Sequence, residues 1–315
     1  MRLSFYKYRI PALLSLILLG ESLTPVNASI PIIPDSQMKL LAQYSLPTST
    51  TLLNQGLQAI QAGRVEDAIA AFQSASQLDP NLAAAHYNLG LALRQTGKLQ
   101  PAADAFYRAT QSDPKFALAF ANLGGSLLEG NNLQQANDYL QRALELDPKL
   151  GFAHYNLGLV RQQQQNWEGA IASFNKAVEY SKNAPEPHYH LGISYLQQGK
   201  LNEAQRAFNQ AIKINPKYSE AHYNLGVVWF QQGKPQEALA AFRKSAEANP
   251  NYPHAYYGAG LVFTQLGQYS EGAKVFNHAK NLYSTQGNPQ WAKNAEQLLQ
   301  QVQNLNSQPR GGKNN

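Results

Sequence analysis

Asparagine returns in this chain at an interval of 34 residues, at Asn54, Asn88, Asn122 and Asn156, and, after His190 at the next place, at Asn224. A primary amide offers two donors and an acceptor, so a row of them suits bidentate pairing with the backbone of an extended peptide. The alternative is that the amides tolerate a wet face or bridge to a neighbouring helix. One residue earlier stand Tyr87, Tyr155, Tyr189, Tyr223 and Tyr257. Tyrosine gives contact area and a polar tip, which serves a binding face or a seam between adjacent elements equally well. Seven residues after the asparagine place come Gln61, Gln95, Gln163, Gln197, Gln231 and Gln265, with Glu129 in the one remaining copy. Together these make a neutral, amide-rich stripe.

Other chemistries are excluded by residue type and spacing. The chain has no cysteine, which removes disulfides, thiolate metal sites and thiol catalysis. His86, His154, His188 and His222 share one place in successive copies. Equivalent places lie about a helix diameter or more apart, while zinc requires each nitrogen within about 2.1 Å, so they cannot share an ion. His188 and His190 are two apart on a helix and point to different sides. There is no Gly-x-Ser-x-Gly, no His-Glu-x-x-His and no phosphate loop. The expectation is a protein that is not an enzyme and holds no metal or cofactor. Net charge is +6. Lys and Arg are not gathered into the patch that phosphate neutralisation needs, so nucleic acid is not an expected partner.

The amino terminus reads as an export signal. Arg2, Lys7 and Arg9 precede the mostly apolar run Ile10 to Leu19, and Val26-Asn27-Ala28 supplies small residues for cleavage. About 20 helical residues are needed to cross a bilayer, so this run is short for a span. The expected mature protein is periplasmic or secreted. The alternative is an uncleaved anchor at residues 10–20, the one expected membrane contact. Residues 29–48, with Pro31, Pro34 and Pro47, read as a linker.

The 34-residue interval organises the rest. Units start at Ser49, Ala83, Ala117, Gly151, Pro185, Ser219 and Pro253, and fill residues 49–286 without insertion. The eighth place is glycine in every unit, from Gly56 to Gly260; the twentieth is small, from Ala68 to Gly272; the twenty-fourth is Phe72, Phe106, Leu140, Phe174, Phe208, Phe242 or Phe276. Glycine in a helix costs about 1 kcal/mol against alanine, so its recurrence predicts a close approach between two helices with one large side chain closing the gap. The fifteenth place, glycine in five units and Asn131 or Gln165 in the others, predicts the turn between them. Asp-Pro or Asn-Pro pairs end the second helix. Lys182 in place of proline, with Pro185 and Pro187 just after it, predicts a bent or loosened junction between units four and five.

With Leu89, Gly90, Ala102, Phe106, Ala109 and Pro114 at places seven, eight, twenty, twenty-four, twenty-seven and thirty-two, the chain resembles a tetratricopeptide repeat protein. The resemblance implies an all-α fold: an α-solenoid, wound as a right-handed superhelix of seven helix-turn-helix units. Trp291, Ala295, Leu298, Leu299, Val302 and Leu305 predict a capping helix over residues 288–305, followed by a disordered tail at 306–315.

In that family the first helix of each pair lines the concave side, which places the asparagine row on the inner wall. It is similar there to the repeat superhelix of O-linked N-acetylglucosamine transferases, whose asparagines hold substrate peptides; the likeness covers the array and no glycosyltransferase domain. Packed helices lie about 8 to 10 Å apart and an extended chain advances about 3.3 Å per residue, so one amide meets a ligand every two or three residues. The lysine and arginine of a carboxylate clamp are missing. The expected function is a non-catalytic scaffold that binds a protein or extended peptide. The other readings are an envelope or self-association module acting through its outer face, and the substrate-presenting subunit of a modifying enzyme such as a glycosyltransferase.

Overall fold

A computed structural model describes residues 47–307. The expected signal segment, most of the linker and residues 308–315 of the tail lie outside the described residues. Fifteen α-helices and no strand occur among the described residues, and the fold is an all-α solenoid. The chain divides into two compact units, one ending at Pro148 and one beginning at Lys149.

In the first unit, repeat one is α1 (Ser49–Gln61) and α2 (Val65–Leu78), repeat two α3 (Ala83–Gln95) and α4 (Leu99–Ser112), and repeat three α5 (Ala117–Glu129) and α6 (Leu133–Leu146). In the second, α7 (Gly151–Gln163) pairs with α8 (Trp167–Tyr180), α9 (Pro185–Gln197) with α10 (Leu201–Ile214), and α11 (Ser219–Gln231) with α12 (Pro235–Ala248). The last pair is α13 (Pro253–Gln265) and α14 (Tyr269–Thr285), and α15 (Pro289–Ser307) follows it. No helix among the described residues is long and apolar enough to cross a membrane.

The close approach inside each pair has a definite partner. A Cβ on Gly90 would stand 2.6 Å from Cε1 of Phe106, and one on Gly192 2.5 Å from Cε1 of Phe208. The phenyl ring of the second helix therefore lies against the bare backbone of the first. Ala102, Ala136, Ala170, Ala204 and Ala238, at the twentieth place, are fully buried. Small residues bring the backbones together and one ring fills the space that remains.

The turn residues take the left-handed conformation, with φ of 77° at Gly97, 62° at Asn131 and 59° at Gln165. Each turn closes as Lys98 does, whose N–H donates to the Leu93 carbonyl at 3.0 Å. Gln165 is a strained choice, because a Cβ in this region costs about 1 to 2 kcal/mol. The second helix ends on an extended residue such as Asp113 (φ −134°, ψ 97°), whose carboxylate accepts from the Lys115 N–H at 2.9 Å. Asn215 and Asn249 act in the same way.

The junction of units four and five is not loosened. Pro185 and Pro187 sit in the first turn of α9, where the N–H groups have no intrahelical acceptor and a proline removes nothing. The backbone bond from Ala184 to the Ser181 carbonyl, 3.1 Å, matches that from Phe116 to Asp113 in repeat two. The ends of the array depart from the pattern instead. In repeat one, Thr51, Gln55 and Gln58 are exposed at places where Ala85, Leu89 and Ala92 are buried in repeat two. That polar edge faces solvent, as a terminal repeat requires. In repeat seven, Ser284 replaces the proline and α14 runs on to Thr285, then turns at Gly287 (φ 70°). The capping helix consequently occupies residues 289–307 rather than 288–305. Its Ala295 and Val302 are fully buried.

Candidate peptide-binding face

The first helices carry the amides, and their packing decides which amides are free. In the first unit Asn54 is exposed, whereas Asn88 and Asn122 are only 4% and 6% exposed. Asn88 Nδ2 donates to the carbonyl of Ala84 at 2.8 Å, one turn back on its own helix. Asn122 Nδ2 donates to the Leu118 carbonyl at 2.9 Å and to the Tyr87 hydroxyl at 3.3 Å. Both amide hydrogens of Asn122 are therefore used within the unit. The residue 35 before Asn88 is Leu53, which has no hydroxyl, so Asn88 keeps only its own-helix bond.

The second unit repeats the device. Asn224 Nδ2 donates to the Glu220 carbonyl at 2.9 Å and the Tyr189 hydroxyl at 3.3 Å. Asn156 is 3% exposed, and its Nδ2 is buried without a partner. His190 takes the place between them. Its Nδ1 lies 2.8 Å from Oε1 of Gln162, an acceptor only, so Nδ1 carries the proton. The ring stacks on Phe174 at 5.5 Å and meets the edge of Tyr189 at 5.1 Å. Burial pushes its pKa down to about 4, and the imidazole is neutral at pH 7. Gly258 ends the row in repeat seven, where a Cβ would meet the ring of Phe242.

The tyrosines form a seam. Tyr87 packs on Phe106 of its own repeat at 5.8 Å and on Phe116 at 4.8 Å; Tyr189 meets Phe208 at 6.0 Å and Tyr218 at 5.0 Å. Tyr223 meets Phe242 and Tyr252, both at 5.6 Å, and burial raises its hydroxyl to about 12. Burial raises Tyr155 and Tyr189 as well, with Glu186 adding to the first and Glu220 to the second. These phenols remain protonated at neutral pH, and that of Tyr189 accepts from Asn224.

Two residues that sequence reasoning missed complete the link between repeats. Arg94, at the twelfth place, reaches Oδ1 of Asn122 at 3.5 Å and pairs with Glu129 of the following repeat. Gln162, at the same place in repeat four, bonds His190 and the Ser194 hydroxyl. The signal was available in the pattern: where this place is polar, it faces the sixth place of the next copy. His86 and His222 are structural too, each with Nε2 against the carbonyl of a proline, Pro80 at 2.9 Å and Pro216 at 3.0 Å.

What remains open to a ligand is the glutamine stripe. Gln61 and Gln95 in the first unit and Gln197, Gln231 and Gln265 in the second are exposed, and Gln163 is half-buried. Seven residues is two helical turns, so each glutamine shares a face with the sixth place of its helix. Along the second unit that face also carries half-buried Ile193, Leu196, Val227, Phe230 and Leu261, and none of these places is charged. The face can pair with peptide groups through amides and hold apolar side chains between them.

Profiles described as tetratricopeptide repeat match residues 83–116, 117–150, 189–253 and 231–289, and one described as TPR repeat matches 56–97 and 161–199. The chain belongs to the tetratricopeptide repeat family. No curated protein matches it. Among solved structures, these repeats are similar to a chain of the APC/C hetero-tetramer Cut9-Hcn1, with a TM-score of 0.60 and 20% identity over 72% of this chain; that match spans 45% of the other chain. A tetratricopeptide repeat protein from Parabacteroides merdae gives a TM-score of 0.59 and 21% identity, covering 81% of this chain and 98% of its own. YrrB, described as a TPR protein with an unusual peptide-binding site, gives 0.50 and 24%, covering 59% of this chain and 95% of its own. These likenesses concern the fold. Tetratricopeptide repeats are scaffolds for protein or peptide partners, and no catalytic activity is shown for this array.

Proposed function

We propose that this chain is a non-catalytic scaffold that binds an extended segment of another protein along the first helices of its repeats, through the glutamine stripe. The observation that carries this reading is the division of labour among the amides. Asn122 and Asn224 each spend one donor on their own helix and the other on a tyrosine of the preceding repeat, whereas among the described residues no side-chain hydrogen bond engages Gln197, Gln231 or Gln265. Asn122 and Asn224 tie their first helices to the preceding repeat, and the glutamines present unused donors and acceptors on the same helices' faces. YrrB, with its peptide-binding site, lends the reading support at the level of fold.

A peptide selected on the full chain from a displayed library provides the probe. Replacing Gln197, Gln231 and Gln265 together by alanine should weaken its binding about tenfold or more, which is about 1.4 kcal/mol, with the melting temperature nearly unchanged. Asn224→Ala should do the reverse, lowering the melting temperature while affinity holds. Wild-type affinity in the glutamine variant would sink the proposal; lost affinity in a fully stable Asn224 variant would move the contact to the asparagine row.

The basic, apolar and small-residue order of residues 1–28 supports the further proposal that the scaffold works outside the cytoplasm. Protein recovered there should begin at Ser29 on N-terminal sequencing, and an intact Met1 would refute cleavage.

A further inference from the structure

Apart from the glutamine stripe, the second unit has a cleft of about 460 Å³ between α12, α13 and α14, lined by Leu239, Phe242, Ala259, Phe263 and Val275. One departure from the repeat pattern lies in its wall. The seventh place is leucine in repeats two to six, and Leu123, Leu157 and Leu191 are buried there; repeat seven has Ala259. Alanine there withholds the bulk that a leucine would place in the cleft, whose walls are mostly apolar. Arg243 stands at the rim with 74% of its side chain exposed; its Nε lies 3.5 Å from Glu247 in an exposed pair that leaves the rest of the guanidinium to solvent.

The first unit carries the complement. Tyr107 on α4 is 45% exposed, one of two large apolar side chains so exposed among the described residues, the other being Leu78. Asp104 lies one turn before Tyr107, and Tyr107 and Asp138 both act on the Tyr139 hydroxyl, raising it after burial does. The units also differ in sign. Residues 47–148 hold six Lys and Arg against nine Asp and Glu, and residues 149–307 hold fourteen against nine. The charge that looks evenly spread in the whole chain is thus divided between two bodies, a net anion bearing an exposed aromatic ring and a net cation bearing an apolar hole.

We propose that the cleft at Ala259 receives Tyr107 of a second copy of this chain, with Asp104 of the incoming copy opposite Arg243, giving head-to-tail self-association. Knob and hole are different surfaces, so the contact is heterologous and every bound copy presents a fresh knob and a fresh hole. This contact leaves the glutamine stripe free and does not rest on the peptide-binding reading.

Sedimentation velocity of the full chain over a range of concentrations tests it. The wild type should form dimers and longer species that dissociate as salt rises, because the charge attraction is screened within about 10 Å at 0.1 M. Tyr107→Ser, which alters an exposed position, and Ala259→Leu, which restores the residue of repeats two to six, should each weaken association about tenfold or more. Mixed one to one, those two variants should give a dimer that does not extend, because only one knob and one hole remain intact. Arg243→Glu should weaken association, and Asp104→Arg in the partner should restore it. A chain that is monomeric at every concentration, whether or not another protein fills the cleft, overturns the proposal. So does association that survives both Tyr107→Ser and Ala259→Leu.

Discussion

Truncating Phe106 to alanine is expected to cost about 3 to 5 kcal/mol, the usual loss for a fully buried phenyl ring. The ring closes the gap over Gly90 and supports Tyr87 at 5.8 Å, so its removal opens a cavity at the centre of the first unit. In a stack where each repeat meets only its neighbours, the damage should stay local. The three tryptophans make this measurable, because Trp167, Trp229 and Trp291 all belong to the second unit. In the variant, helix loss followed by circular dichroism should begin early, while the tryptophan fluorescence transition stays where it is in the wild type. Phe208→Ala should shift the fluorescence transition instead. If both probes move together in the Phe106 variant, the two units unfold as one and the nearest-neighbour account fails.

Replacing Gly192 by alanine should destabilise the second unit, against the direction that helix propensity alone gives. Alanine gains about 1 kcal/mol over glycine in a helix interior. The added methyl would stand 2.5 Å from Cε1 of Phe208, a ring with no exposed surface. Overpacking of this kind costs about 1 to 3 kcal/mol, so the net change should be a loss of up to about 2 kcal/mol. Thermal melts of the wild type and the variant decide it. A higher melting temperature in the variant would mean that the ring moves freely and that the glycine serves some other need.

The same glycine shows what could be read without coordinates. A residue that is unfavourable in a helix and yet returns at every eighth place demands a compensating contact, and the large residue at the twenty-fourth place is the only repeated candidate. The asparagine row is different. Its period is as clear as the glycine period, but the period says only that all copies share one environment. Whether that environment is a ligand or a neighbouring repeat depends on a residue 35 positions away, Tyr87 for Asn122 and Tyr189 for Asn224. The edge of the array was hidden for a related reason. Thr51, Gln55 and Gln58 look like ordinary variation until the buried counterparts in repeat two show which places face the preceding copy.

The order of residues by itself determined the helix pairs, their turns at Gly97 and its equivalents, the small-on-large contact inside each pair and the exclusion of thiol chemistry. These are local steric and chemical requirements, carried by a residue and its partner in the same 34-residue copy. Only the tertiary structure decided which amides are spent and which are open, that prolines in the first turn of α9 leave its junction intact, and that Ala259 lines an apolar cleft. Those outcomes turn on what a side chain meets in the next copy or the next helix, and on the direction in which it points when it gets there.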